Sequence, residues 1–130
     1  MRTRSQSNAL EVYEQIKAIE GWQQDKRKQY GALCHRFPVM ILNSGLAQAM
    51  GFLCAKAQGE DGPERAHTTL VNHLTQLLGG RAQQAISFQR EIVALDLGEY
   101  QRLTRNALEA AVWYKRYAES ILKVQAGGDS

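Results

Sequence analysis

Residues 37–56, FPVMILNSGLAQAMGFLCAK, decide the fold. Their apolar positions, Pro38, Ile41, Leu42, Gly45, Leu46, Ala49, Phe52 and Leu53, recur at spacings of three and four, the stripe of an amphipathic helix. Pro38 suits a first helical position, where its missing N–H costs nothing and its φ is already set. The residue before it is disfavoured in the α region, so the sequence places a break there. Gly45 and Gly51 each weaken a helix by roughly 1 kcal/mol against Ala. Accepting that penalty predicts that another backbone packs closely on this segment. The stretch reads as a core helix with no catalytic group at its centre.

The rest of the chain extends the helical pattern. Alternation of period two is absent, no Asn-Gly hairpin occurs, and Ala, Gln, Leu, Glu, Lys and Arg dominate. A first helix begins after Ser7 or Asn8, either of which can cap it, and carries Val12, Ile16 and Ile19 on its stripe. Gly21 is a soft point before Trp22, Tyr30, Leu33, Cys34 and Phe37 resume the spacing, which leaves one long helix or two shorter ones. GEDGP (59–63) is the clearest loop. Pro63 or Glu64 opens the next helix, striped by Ala66, Leu70, Leu74, Leu77 and Leu78 and stopped by Gly79-Gly80. Ala82, Ala85, Ile86, Gln89 and Ile92 suggest a short helix. Asp96 with Glu99 forms a capping-box pattern that opens a long last one. The reading is an all-α compact bundle of five or six helices in one domain over 1–130, with 1–7 and 125–130 frayed.

At 130 residues the chain supports one core. No apolar run approaches the ~20 residues of a membrane span, and MRTRSQSN is followed by no apolar block of a secretory signal. Cys34 and Cys54 fall on helical stripes, which favours two free thiols over a disulfide and a reducing, cytoplasmic setting. For chemistry the sequence offers little. No two of His35, His67 and His73 are spaced three or four apart, and no CxxC occurs, so neither a metal nor a cofactor is indicated. The acids are scattered, Ser44 lacks the strand-to-helix context of a nucleophile elbow, and LLGGR (77–81) is a helix stop rather than a phosphate loop. No catalytic residue is assigned.

Charge is the remaining lead. Net charge is +3, but residues 1–57 hold eight Lys/Arg against four acids, centred on Lys26-Arg27-Lys28. On the last helix Arg102, Arg105, Glu109, Arg116, Glu119 and Lys123 share one face. This could be a solvated face of pairs such as Arg105–Glu109, each worth ~0.2–0.5 kcal/mol, or a surface that follows phosphates. WYKRY (113–117) interleaves aromatics with Lys115 and Arg116; such rings either stack on bases or anchor a core. Lys26, Arg27, Lys28, Arg102, Arg105, Lys115 and Arg116 are the candidate RNA-binding residues.

Tyr30, the 37–56 segment and the late YQRLTRNALEAAVWYKRYAE (100–119) together resemble the small-subunit family of the Cmr-type (type III-B) CRISPR RNA-guided effector complex. The most specific pieces are Pro38 with Ile41, Asn43-Ser44-Gly45-Leu46, Lys56, and Trp113 with Lys115 to Ala118. The resemblance implies a small helical protein without enzymatic activity. It would stack in copies along a ribonucleoprotein filament beside other Cmr-type subunits and touch the backbone of a CRISPR RNA–target RNA duplex. It implies no membrane partner. The competing reading is a helical protein–protein adaptor with incidental surface charge.

Overall fold

In a computed structural model, which describes residues 1–80 and 82–127, six helices pack around one core: α1 (Arg4–Lys17), α2 (Gln24–Ser44), α3 (Leu46–Ala57), α4 (Ala66–Leu78), α5 (Ala85–Ala94) and α6 (Leu97–Ser120). No strand occurs among the described residues. The end of the tail, 128–130, and Arg81 lie outside them. The two long helices, α2 and α6, form the frame, and α1 lies against α6. The surface α6 turns to them is made small by Ala107, Ala110, Ala111 and Ala118, all buried, so the neighbouring helices can approach closely.

The decisive segment folds differently from its sequence reading. Pro38 does not open a helix; it lies inside α2, which runs unbroken from Gln24 to Ser44. Its ring removes one bond from the helical ladder, yet Phe37 and Ile41 on either side are buried and hold the segment in the core. Tertiary burial outweighs the local penalty. The break falls instead at Gly45, whose φ of 86° and ψ of 159° lie in a region essentially reserved for glycine. Gly45 is therefore a hinge between α2 and α3 rather than a mid-helix packing point. What approaches it is not a backbone but the Tyr100 hydroxyl, 3.2 Å from where a Cβ would sit. That same hydroxyl accepts the Ala47 N–H at 3.1 Å, so α6 supplies the cap that α3 lacks locally. Leu42 is 72% exposed, so the apolar stripe is narrower than the spacing suggested.

Other boundaries shift for identifiable reasons. α1 starts at Arg4, earlier than Ser7 or Asn8, because Thr3 and Gln6 make a reciprocal capping box; Asn8 is instead buried and donates to Asn106 Oδ1. The soft point at Gly21 resolves into two helices joined by a turn. α4 opens at Ala66, after Pro63 and Glu64, because Glu60 caps it from the loop through the amides of His67 and Thr68. The Asp96–Glu99 capping box and the stop at Gly79 form as read. The docking of the tail has no local signal in the chain: Leu122 and Val124 are buried, and Val124 sits where a Cβ on Gly31 would be, 2.6 Å from it.

Buried polar groups tie four helices together. The Tyr114 hydroxyl donates to Gln15 Oε1, Gln15 Nε2 donates to the His73 carbonyl at 3.1 Å, and the Tyr30 hydroxyl lies 2.7 Å from His73 Nδ1. Burial lowers the His73 pKa to about 4, so its ring is neutral and Nδ1 accepts the Tyr30 proton. Burial also raises the Tyr30 phenol well above its ordinary range, which keeps it a donor.

Gly45→Ala is expected to destabilise the fold by about 1–3 kcal/mol through backbone strain. Chemical denaturation checks this, and an unchanged midpoint would place the φ of residue 45 outside the glycine-only region. His73 sets a pH dependence. Its folded pKa lies below the unfolded value of about 6.5, so between these values the unfolded chain holds more protons. Stability should fall by up to about 3 kcal/mol as pH drops from 6.5 to 4, and the slope over that window should flatten in His73→Gln.

Candidate nucleic-acid interface

The seven basic residues separate into three places. Lys26, Arg27 and Lys28 occupy the first turns of α2 but do not act as one cluster. The Arg27 guanidinium turns back to the carbonyls of Trp22 (3.1 Å) and Glu20 (3.4 Å), where it satisfies the turn that ends α1. Lys26 is half-buried and borders a small recess with Asp61 and Glu64, so carboxylates of the 59–64 loop oppose its charge. Lys28 is exposed and shares its depression with Asp25. The positive run in the sequence is thus divided: backbone carbonyls hold Arg27, loop carboxylates border Lys26, and Lys28 is exposed beside Asp25.

Arg102 and Arg105 lie on the first half of α6, at the end of the molecule near Gly45. Arg102 leans back over Gly98 toward the Asp96 cap, and Arg105 borders an open depression with Tyr100, Gln101, Thr104 and Leu108. The expected Arg105–Glu109 pair is absent. Glu109 instead binds Arg4 at 2.9 Å, an exposed pair worth at most ~1 kcal/mol, and Arg105 is left facing solvent.

Lys115 and Arg116 lie about 20 Å further along the α6 axis from Arg102, at 1.5 Å per residue. Both are exposed. Arg116 stands 5.4 Å over Trp113, which stacks on Tyr117 at 5.6 Å, and Tyr13 of α1 meets Tyr117 edge-on. The Trp113 indole N–H donates to Ser5 Oγ at 3.2 Å, and Tyr114 is buried. The aromatics of WYKRY are thus anchors between α1 and α6, with only Lys115 and Arg116 directed outward.

The histidines are engaged structurally. His67 Nδ1 lies 2.8 Å from Glu60 Oε2, His73 pairs with Tyr30, and His35 Nε2 meets the Val124 carbonyl at 2.8 Å. Among the described residues no group of His, Cys, Asp and Glu converges as metal ligands, and no helix is long and apolar enough to cross a membrane. Cys34 and Cys54 are free thiols; burial pushes the first well above its usual range.

Clustered charge in the sequence does not point to a cleft of about 380 Å³ between α2 and α3. Arg36, Met40 and Ser44, on successive turns of α2, face Gln48, Ala49 and Phe52 of α3. Lys56, one turn beyond Phe52, places its ammonium 5.8 Å from the centre of that ring. Arg36 and Lys56 are twenty residues apart in sequence, and only the fold-back at Gly45 sets their helices side by side.

A model of the CRISPR-associated Cmr5 family matches residues 4–121. The chain belongs to that family. It is 35% identical over 124 residues to the CRISPR system Cmr subunit Cmr5 of Thermus thermophilus, an alignment covering 95% of this chain and 99% of that protein. Its fold is similar to the crystal structure of a Cmr5 family protein from the same organism, with a TM-score of 0.78 and 32% identity over 94% of this chain and 99% of the other. The helical arrangement is thus similar to that of a solved Cmr5 family protein.

The different positions of Arg27 and Lys28 give a direct check. Arg27→Glu should lower the thermal midpoint by several degrees, because two carbonyls lose their donor, whereas Lys28→Glu should leave it within about one degree. Equal midpoints would show Arg27 to be as free as Lys28.

Proposed function

We propose that this Cmr5-family protein is a non-catalytic structural subunit of a type III-B CRISPR effector complex, cytoplasmic and acting in antiviral RNA interference. Copies of it would lie beside other Cmr-type subunits and line the groove that holds target RNA. Membership of the Cmr5 family across nearly the whole chain carries the reading. The distribution of cations supports it. Exposed Lys28, Arg105, Lys115 and Arg116 are spread along the molecule rather than gathered in a pocket, which suits contact with successive phosphates and not recognition of one ligand. Arg27 would contribute less, since two carbonyls already hold it, and Lys26 less too, since it is half-buried beside loop carboxylates; exposed Arg102 would stand with Arg105. Sequence specificity would then come from guide–target pairing, with this chain reading only backbone.

The adaptor reading retains one specific support. Val39 and Leu42 on α2, and Val93 and Leu97 around the end of α5, are more than half exposed. Apolar side chains placed so far out suit protein contacts, which an assembled subunit would also need.

Salt separates the two readings. In the assembled complex, Lys28→Glu with Arg105→Glu and Lys115→Glu should weaken target-RNA binding and reduce the salt slope by about one unit per lost phosphate contact. The fold should be unaffected, because all three side chains are exposed. If the triple variant enters the complex and binds target RNA with unchanged affinity and slope, the protein-only adaptor is the better account.

A further inference from the structure

We infer that the α2–α3 cleft is a slot for one unpaired nucleotide of an RNA strand, a subsite that rests on the RNA-lining reading and adds base contact to it. The floor is apolar, formed by Met40 and Ala49, and one wall is the half-exposed ring of Phe52, 43% accessible. At the hinge end Ser44 and Gln48 offer a hydroxyl and an amide, groups that can pair with the donors and acceptors of a base edge. Toward the open end of the fold-back lie Arg36, one turn before Met40, and Lys56, one turn after Phe52. The order of chemistry along the cleft is hydrogen-bonding edge, flat apolar surface, then two cations. That order matches a base stacked on an aromatic ring with its phosphate held at one end.

Charge favours RNA over a peptide. Among the described residues no carboxylate borders this cleft. Glu60 approaches the aromatic wall only through His67, whose ring is edge-on to Phe52 at 6.3 Å and 2.8 Å from the Glu60 carboxylate. Glu60 already accepts bonds from the His67 and Thr68 amides, the His67 ring and the Thr68 hydroxyl, so its charge is engaged locally. The larger cleft between α4, α5 and α6, about 430 Å³, has the opposite character, with Glu91 and Glu99 on its rim, and would repel phosphate. Of these two clefts, the one between α2 and α3 joins an exposed ring to cations without a facing acid.

The test uses the effector complex purified through this subunit and loaded with a target RNA that carries photoreactive 5-iodouridine. Irradiation should join RNA to Phe52 or its immediate neighbours, as read by peptide mass spectrometry. Phe52→Leu and Arg36→Gln should each lower the yield at this cleft by about fivefold or more, the scale of losing one stacked base. Both side chains are exposed, so thermal melting should stay near that of the parent. Adducts on the α6 or α2 basic residues with none at the cleft would overturn this inference and leave the RNA-lining reading intact. Adducts nowhere on this chain would overturn both. If Phe52→Leu instead expels the subunit from the complex while no RNA joins residue 52, the cleft is a protein-docking surface and the inference fails.

Discussion

The hydrogen-bonded chain from Tyr114 through Gln15 and His73 to Tyr30 fixes the relative placement of α6, α1, α4 and α2. Hydrophobic burial alone would let these helices slide, since alanine and leucine surfaces accept several registers. A buried donor without its acceptor costs ~1–3 kcal/mol, so each link penalises any register but one. Neutral His73 is central: it joins the chain through its backbone carbonyl on one side and its ring on the other. Burial deep enough to keep that ring uncharged is itself a product of the packing the chain enforces.

From this fixed frame the remaining features follow. With α6 held against α2, Tyr100 arrives at Gly45 and caps α3, so the hinge between α2 and α3 is set by a residue more than fifty positions away. The hinge in turn closes the cleft carrying Arg36 and Phe52. Surface ion pairs contribute little to this architecture; Arg4–Glu109 and Lys17–Glu20 are both exposed.

Much of the helical order was legible in the sequence because capping and burial patterns are local. Asp96–Glu99, the GEDGP loop and the Gly79 stop could be read from a few residues. Pro38 and Gly45 could not be ranked from sequence, since the rule for proline is local while the burial of Phe37 and Ile41 that overrides it is not. The same limit governs the surface. Lys26, Arg27 and Lys28 stand together in the chain, but Asp61, Glu64 and the carbonyls of residues 20 and 22 reach them only in the folded molecule. Arg36 and Lys56 could not be read as a pair, because two cations twenty positions apart look like scatter until a hinge lies between them.

The docking of the tail on α2 also bears on how the protein is made. α1 and α2 find their principal partner in α6, and Val124 completes the contact by filling the notch over Gly31 while its carbonyl meets His35. All of these partners are synthesised last. The ordinary advantage of an N-terminal segment that folds as it emerges from the ribosome is therefore only partly open to this chain. Before α6 is made, α2 can pack only on α3 and α4 and α1 only on α4, so the faces of α1 and α2 that meet α6 stay open to chaperones or to the helices of a neighbouring copy.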